Sequence, residues 1–262
     1  MLNTALREPV VQHMVRFRTA CGVSHPVNGA RPLPSCSSCC LREVCLPRGL
    51  SSANLSEFDE LTTVKRRIAR GASLYHGGDA FDALYAVRSG AFKTVGVSSN
   101  GEEKITGFYL SGEVMGLDAI NNDRHDYNAT ALEDSEVCVI PFAQLTALTL
   151  RIPELQQQLF RLLSRDIARD HGLMLLLGSM TAQQRLAAFL LGLSRRYKRL
   201  GYAADRFLLR MTREDIGNYL GLTLETISRL MSRFQRDGLI TAQQREIEFK
   251  DSGGLMEIVG QW

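Results

Sequence analysis

Residues 212–236 read TREDIGNYLGLTLETISRLMSRFQR, and this stretch decides the C-terminal fold. Thr212 is an N-cap residue, followed by Glu214 and Asp215 in the first turn of a helix that runs to Leu220. Gly221, Leu222 and Thr223 supply a turn, Thr223 caps a second helix over 224–236, and Gly238 ends it. Two short helices joined by a tight glycine-containing turn form a helix–turn–helix. Its inner face is Ile216, Leu220, Leu222, Ile227, Leu230 and Met231; its outer face shows Glu225, Thr226, Ser228, Arg229 and Arg233. In such a motif the start of the second helix meets base edges in the major groove. Arginine suits guanine and glutamate accepts from the cytosine amino group. A glutamate is counterproductive on a helix that only grips phosphate, which favours base reading. A packed helical hairpin without DNA is the plain alternative. Residues 241–249 suit a following hairpin, which makes the module winged.

Charge supports that reading. The chain has 262 residues and a net charge of +3. Residues 181–240 hold 11 Lys/Arg against 5 Asp/Glu, a net of +6, so the remaining 20 and 23 leave −3 elsewhere. A basic module on a slightly acidic body binds polyanions by releasing their counterions; a solvated basic face is the bland alternative. With 45% hydrophobic and 23% charged residues, the composition excludes a disordered or collagen-like chain. No apolar run is long enough to span a membrane, and residues 1–20 carry no secretory pattern, so the expected compartment is the cytoplasm.

Upstream of the helix–turn–helix, residues 152–177 carry one apolar stripe at three- and four-residue steps: Ile152, Leu155, Leu159, Leu163, Ile167, Met174 and Leu177. Pro153 fits the first turn. A run of this length suits a coiled-coil seam or an inter-domain spine. Asp170 interrupts the stripe. In a parallel two-fold pair it faces its own copy and opposes association; otherwise it sits at the stripe's edge in solvent.

Residues 64–140 read differently. Short apolar runs at 84–87, 91–97 and 104–110 alternate with glycines, and Ser99-Asn100-Gly101 marks a hairpin turn. Many short strands at regular spacing indicate an antiparallel roll or barrel. Residues 53–63 suit a short helix with Leu55, Phe58 and Leu61 on one face.

Six cysteines are unevenly placed, with Cys36, Cys39, Cys40 and Cys45 inside ten residues. Flanking Pro32, Pro34 and Pro47 make this segment a loop. In a reducing compartment such a cluster points to metal or redox chemistry rather than a disulfide framework. Thiolates suit zinc or an iron–sulfur cluster. Three sulfurs are well spaced, and the fourth comes from Cys40, Cys21 or Cys138. Taken alone, Cys138 in the apolar run 137–141 reads as core packing.

These motifs together resemble the CRP/FNR superfamily of bacterial transcription regulators, and within it the oxygen-sensing FNR (fumarate and nitrate reduction) branch. The resemblance spans roughly 33–250. It rests on Cys36–Pro47, on 86–90 (AVRSG), on 105–108 (ITGF) and on 137–141 (VCVIP). The strings 185–189 (RLAAF), 215–222 (DIGNYLGL) and 225–229 (ETISR) complete it. It implies an α+β chain. The expected organisation is an extension with the cysteine loop (1–50), an antiparallel β-roll sensor domain (51–150) and a dimerisation helix (151–180). A winged helix–turn–helix (181–250) and a C-terminal tail (251–262) follow.

The resemblance also implies that Cys36, Cys39, Cys45 and Cys138 ligate a [4Fe–4S] cluster, against the core reading of Cys138. It implies that Glu225, Ser228 and Arg229 read a palindromic TTGAT-type half-site on double-stranded DNA. Ile152, Leu155, Leu159, Leu163, Ile167, Asp170, Met174 and Leu177 then form the homodimer interface, and the turn Ser98–Glu102 lies on a surface facing RNA polymerase. Cys40 departs from the pattern as an extra thiol, and Cys21 lies outside it. Where cyclic-nucleotide-binding members place Arg and Ser in a phosphate cassette, residues 126–130 read DYNAT, so no cyclic nucleotide is expected. The expected function is oxygen-responsive transcription regulation. A zinc-stapled DNA-binding protein is the alternative, and a Cys39–Cys40 redox enzyme finds no general base or histidine cluster to support it.

Overall fold

The computed structural model describes residues 35–260; Cys21 lies outside them. After the cysteine loop comes α1 (Ser52–Leu61), capped by the Ser51 hydroxyl, which accepts from the Asn54 amide at 3.2 Å. Eight strands follow: β1 (Lys65–Ile68), β2 (Ser73–Tyr75), β3 (Ala83–Ser89), β4 (Ala91–Val97), β5 (Glu103–Leu110), β6 (Val114–Met115), β7 (Asn128–Ala131) and β8 (Ser135–Pro141). They form two four-stranded antiparallel sheets, in orders β1-β8-β3-β6 and β2-β7-β4-β5. The β3–β4 turn depends on Gly90, whose φ is +86°; a Cβ there would lie 2.1 Å from the Ser135 hydroxyl.

Strand parity sorts the core into two layers. Tyr85 and Val87 of β3, with Val137 of β8, face the space between the sheets alongside Leu74, Phe92 and Met115. Leu84 and Ala86, with Ile140, face the other way, under a helical layer. That layer is α1, α2 (Phe142–Thr149) and the start of α3 (Pro153–Ser179), contributing Phe58, Leu145, Leu148 and Leu155. Cys138 has the parity of Ile140. It therefore points to the helical side, partly buried, and not into the core between the sheets.

Part of the expected dimer seam is corrected here. Ile152, Leu155 and Leu159 are 2%, 0% and 9% exposed and belong to the protomer's own core, packed with Phe58, Leu145 and Leu148. A 3.6-residue period fixes which residues share a face, but not what covers it. The face becomes open farther along: Phe160, Ile167 and Met174 are 59%, 56% and 61% exposed at seven-residue spacing. Leu163 and Leu177 are half-buried beside them.

The C-terminal half comprises α4 (Ala182–Arg199), β9 (Arg206–Leu208), α5 (Arg213–Leu220), α6 (Leu224–Arg236), β10 (Ile240–Gln243), β11 (Glu246–Phe249) and α7 (Ser252–Val259). The wing is the three-stranded sheet β10-β11-β9. Ile216, Leu220, Ile227 and Met231 are buried as expected, joined by Phe234, while Leu222 and Leu230 are half-buried. The stretch expected to be a tail instead carries α7, whose Leu255 is fully buried in the same core. Gly253 and Gly254 weaken its helical signal, but the Asp251 carboxylate accepts from the Gly254 amide at 2.9 Å and caps it. No described helix is long and apolar enough to cross a membrane.

The two halves of α3 should respond differently to truncation. Leu155→Ala should lower the unfolding free energy by about 2–5 kcal/mol in urea titrations. Ile167→Ala should change it by less than about 0.5 kcal/mol in dilute, monomeric protein.

Candidate thiol cavity and nucleic-acid interface

Cys36, Cys39, Cys45 and Cys138 are free thiols, and all four line one small cavity of about 30 Å³. Leu41, Pro47, Phe58, Ala86 and Ile140 form its apolar wall. Cys36 opens a short 3-10 turn, Cys36–Ser38. Its start is held by Asp59 of α1, whose carboxylate accepts from the Cys36 amide and, at 3.4 Å, from that of Ser37. The Cys36 sulfur lies 3.5 Å from the Thr62 hydroxyl. The Cys45 amide donates to Leu41 at 2.9 Å, folding the loop back on itself, and Leu46 anchors it in the core. Cys138 pairs in register with Lys65 of β1 and Ala86 of β3. Thus α1, the loop and the sheet each supply part of one recess.

Burial pushes the Cys36 thiol up to about 11, partly opposed by the Thr62 hydroxyl. It pushes the Cys45 thiol up as well, and the neighbouring cysteines add to that. Burial also raises Cys138, against the pull of Lys65 and Arg88. The recess is therefore hostile to bare thiolates and suited to a soft metal centre that deprotonates them. Among the described residues no three Cys, His, Asp or Glu side chains converge tightly enough to grip a single metal ion. The sulfurs surround a space rather than meet at a point. That space is roughly one water in volume, so a larger group requires the loop, which carries three of the sulfurs, to move outward. Cys40 is not one of the free thiols.

The reading module is built from caps. The Thr212 hydroxyl accepts from the Asp215 amide at 3.0 Å while Asp215 accepts from the Thr212 amide at 2.9 Å, a reciprocal capping box. Thr223 caps α6 by accepting from the Thr226 amide at 3.2 Å. The two helices approach closely at Gly217, where a Cβ would lie 2.6 Å from the Leu222 carbonyl oxygen. Glu225, Arg229 and Arg233 are exposed on one side of α6; Thr226 and Ser228 are half-buried beside them. The α6 N-terminus and the Thr223 side chain hold the Glu225 carboxyl below its usual range, so it is ionised at neutral pH. Arg213, which the sequence reading passed over, reaches the Ser228 hydroxyl at 3.4 Å. Arg233 is shared with Asp237 at 3.5 Å.

The sequence reading also missed how this module is held. On β5, an edge strand, the Ile105 amide donates to the Asn218 side-chain oxygen at 2.7 Å, and the Asn218 amide donates to the Glu103 carbonyl at 2.9 Å. One side chain thus mimics the next strand. Lys93 Nζ lies 2.7 Å from Asp215, Arg196 donates to Glu113 at 2.9 Å, and Arg210 pairs with Glu133. Phe108 of β5 packs against Tyr219 and Phe189. At the hinge, Arg185 donates to the carbonyls of Leu177 at 2.6 Å, Met180 at 3.0 Å and Leu220 at 3.1 Å. Burial tends to raise the Asp215 carboxyl, but hydrogen bonds from Lys93 and Thr212 outweigh it and leave it lowered.

Two outcomes follow from this dock. Asn218→Ala should speed hydrogen exchange at the Ile105 amide by about five- to tenfold, since it removes a bond worth about 1–1.5 kcal/mol. A lowered carboxyl contributes stability above its unfolded-state value and loses it as pH falls through the folded one. Lys93→Met should therefore flatten the acid side of the stability–pH curve between about pH 4 and the onset of acid unfolding. An unchanged acid limb would remove Asp215 from the account.

Comparison with known proteins agrees with this architecture. Residues 184–258 match the Crp-like helix-turn-helix domain and residues 65–151 the cyclic nucleotide-binding domain. The chain is 50% identical over 226 residues to the transcriptional regulatory protein btr of Bordetella pertussis, covering 86% of this chain and 93% of the relative. It is 44% identical over 225 residues to the anaerobic regulatory protein of Haemophilus influenzae, covering 86% and 88%. The solved structure of FixK2 from Bradyrhizobium japonicum superposes with a TM-score of 0.70 at 28% identity, covering 76% of this chain and 98% of that one. With its antiparallel roll, long α3 and C-terminal helix–turn–helix, the chain belongs to the CRP/FNR family of DNA-binding transcription regulators, which are not enzymes.

Proposed function

We propose that this regulator is oxygen-responsive. In this reading Cys36, Cys39, Cys45 and Cys138 hold a [4Fe–4S] cluster, and the loaded chain forms a homodimer on palindromic TTGAT-type promoter sites to control anaerobic genes. The observation that carries it is the lining of a single cavity by the four free thiols among the described residues, three from the loop and one from the sheet. Four thiols facing one recess suit a four-thiolate group; a cluster, whose irons each take one thiolate, also requires the loop to move outward, whereas a structural zinc draws four ligands to about 2.3 Å from one point. When bound, the cluster supplies an oxygen-labile link between loop and sheet.

The chain's own residues carry the rest. Leu46, next to Cys45, packs in the same core as Leu155 and Leu159, so the position of the loop bears on the start of α3. The open part of α3 (Phe160, Leu163, Ile167, Asp170, Met174 and Leu177) is the proposed seam. The Asp170 side chain is 58% exposed there, with Arg169 Nε at 3.6 Å as partial compensation. Two facing copies repel, which sets the dimer near balance. A dimer places two α6 helices one DNA turn apart, about 34 Å. Glu225, Ser228 and Arg229 then read bases, with Thr226 and Arg233 flanking. The exposed turn Ser98–Glu102 is offered to RNA polymerase. No cyclic nucleotide is used in this reading. Arg124, just before the cassette segment in sequence, donates to the Gly78 carbonyl at 2.7 Å.

Anaerobically purified protein should be brown, hold about four iron and four sulfide per chain, and bleach in air. Colourless protein with one zinc would sink this reading and leave the zinc staple. Asp170→Ala should retain dimer and operator binding in air, read by sedimentation and gel shift. If its binding stays as oxygen-sensitive as the parent's, the repulsion account fails while the metal result stands.

A further inference from the structure

Behind the cysteine loop, four arginines gather without counter-charge. Arg48 follows Cys45 in the loop, Arg161 and Arg165 lie on α3, and Arg199 ends α4. With Gly49, Gln158 and Ser164 they line one groove of about 640 Å³. Arg48, Gln158, Arg165 and Arg199 also line an adjoining cavity of about 590 Å³, which Leu162 and Leu200 floor. Both volumes fall within the usual range for small-ligand sites.

Among the described residues none of these four guanidiniums is in a salt bridge. Their neighbours are: Arg169 holds Asp166, Arg196 holds Glu113, and Arg42 holds Glu43. The nearby acids are thus already engaged. Among the described residues Arg165 Nε donates only to the Arg161 carbonyl, at 3.2 Å. Desolvation, together with the charges of Arg199, Arg48 and Arg161, holds the Arg165 guanidinium below its usual range. All four side chains are exposed, so solvent screens much of their mutual repulsion and leaves their guanidiniums available to an arriving anion. Residues 1–34 are themselves basic, with Arg7, Arg16, Arg18 and Arg31 against the single acid Glu8. Arg161 and Arg165 lie on the flank of α3 away from Phe160, Ile167 and Met174, so a seam along that stripe leaves the groove open.

We propose that this groove is a binding site for a small anion carrying two or more phosphate groups, which it clamps between the cysteine loop, α3 and α4. Planar guanidiniums recognise phosphate oxygens two at a time, and four of them converging suits more than one phosphate. Occupancy ties Arg48 to α3 and α4, and so fixes the loop that carries three of the cavity's thiols.

The test is calorimetric titration of the full chain with inorganic pyrophosphate, and separately with ADP, at about 0.15 M salt so that diffuse attraction is screened. Saturable binding at one site is expected. The double variant Arg161→Gln/Arg165→Gln should weaken it by at least about tenfold. Arg245→Gln/Lys250→Gln on the wing removes the same charge elsewhere and should leave it within about twofold. Equal affinity for the two probes means that phosphate alone is read; tighter ADP adds a nucleoside contact, and either supports the site. Absence of saturable binding, or equal weakening by both double variants, overturns it. Operator binding weakened by the α3 pair without pyrophosphate binding would assign these arginines to DNA phosphates instead.

Discussion

The pivot of this molecule is the alternation of one strand. Along β8, Val137 and Val139 turn toward the space between the sheets, while Cys138 and Ile140 turn toward the helical layer. A one-residue slip would hide the sulfur between the sheets and expose a valine to the loop. Register holds it in place: β8 is flanked by β1 and β3, and Cys138 is paired on both sides. The sheet therefore presents a single sulfur, at a fixed position, to a loop that brings three more. The loop lacks regular structure beyond its short turn, so its placement depends on Asp59, Thr62 and Leu46 and on whatever the thiols hold.

The second dependency is continuity of the core. Ala91, Val95, Ile105 and Phe108 of the roll share one apolar cluster with Leu186, Leu190, Ile216 and Phe234 of the reading module. The polar dock of Lys93, Asn218 and Arg210 surrounds that apolar contact. The roll and the helix–turn–helix module are thus packed as one body on this side, and the open face of α3 lies elsewhere. Where α6 points relative to α3 is set by packing within the chain, before any second copy or DNA is present.

Much of this was legible in the sequence, unevenly and for physical reasons. The helix–turn–helix was legible because capping residues, a glycine turn and a 3.6-residue apolar period agree at every position from Thr212 to Gly238. The strands at 91–97 and 104–110 were legible from glycine punctuation and the Ser99–Gly101 turn. The orientation of Cys138 toward the loop was not, since an apolar strand covered on both faces gives no hint of which face meets what. Periodicity alone places Ile152, Leu155 and Leu159 on the same stripe as the open face, because it records a stripe without recording its cover. The helix at Ser252–Val259 was hidden by paired glycines and short length. Asn218 and Arg185 escaped because their partners are backbone atoms more than 30 residues away or across a hinge, and such atoms leave no mark in the side-chain pattern.

Arg185 carries the last consequence. Its guanidinium grips the carbonyls at the end of α3 and the carbonyl of Leu220, just before the turn into α6. The end of α3 and the entry to α6 are thereby geared together at one tooth. In the proposed dimer, a small roll of α3 about its axis would reach the side chains proposed to read bases as a change of pitch in the groove. On that reading, affinity for an operator depends on the angle at which two copies meet, as well as on whether they meet.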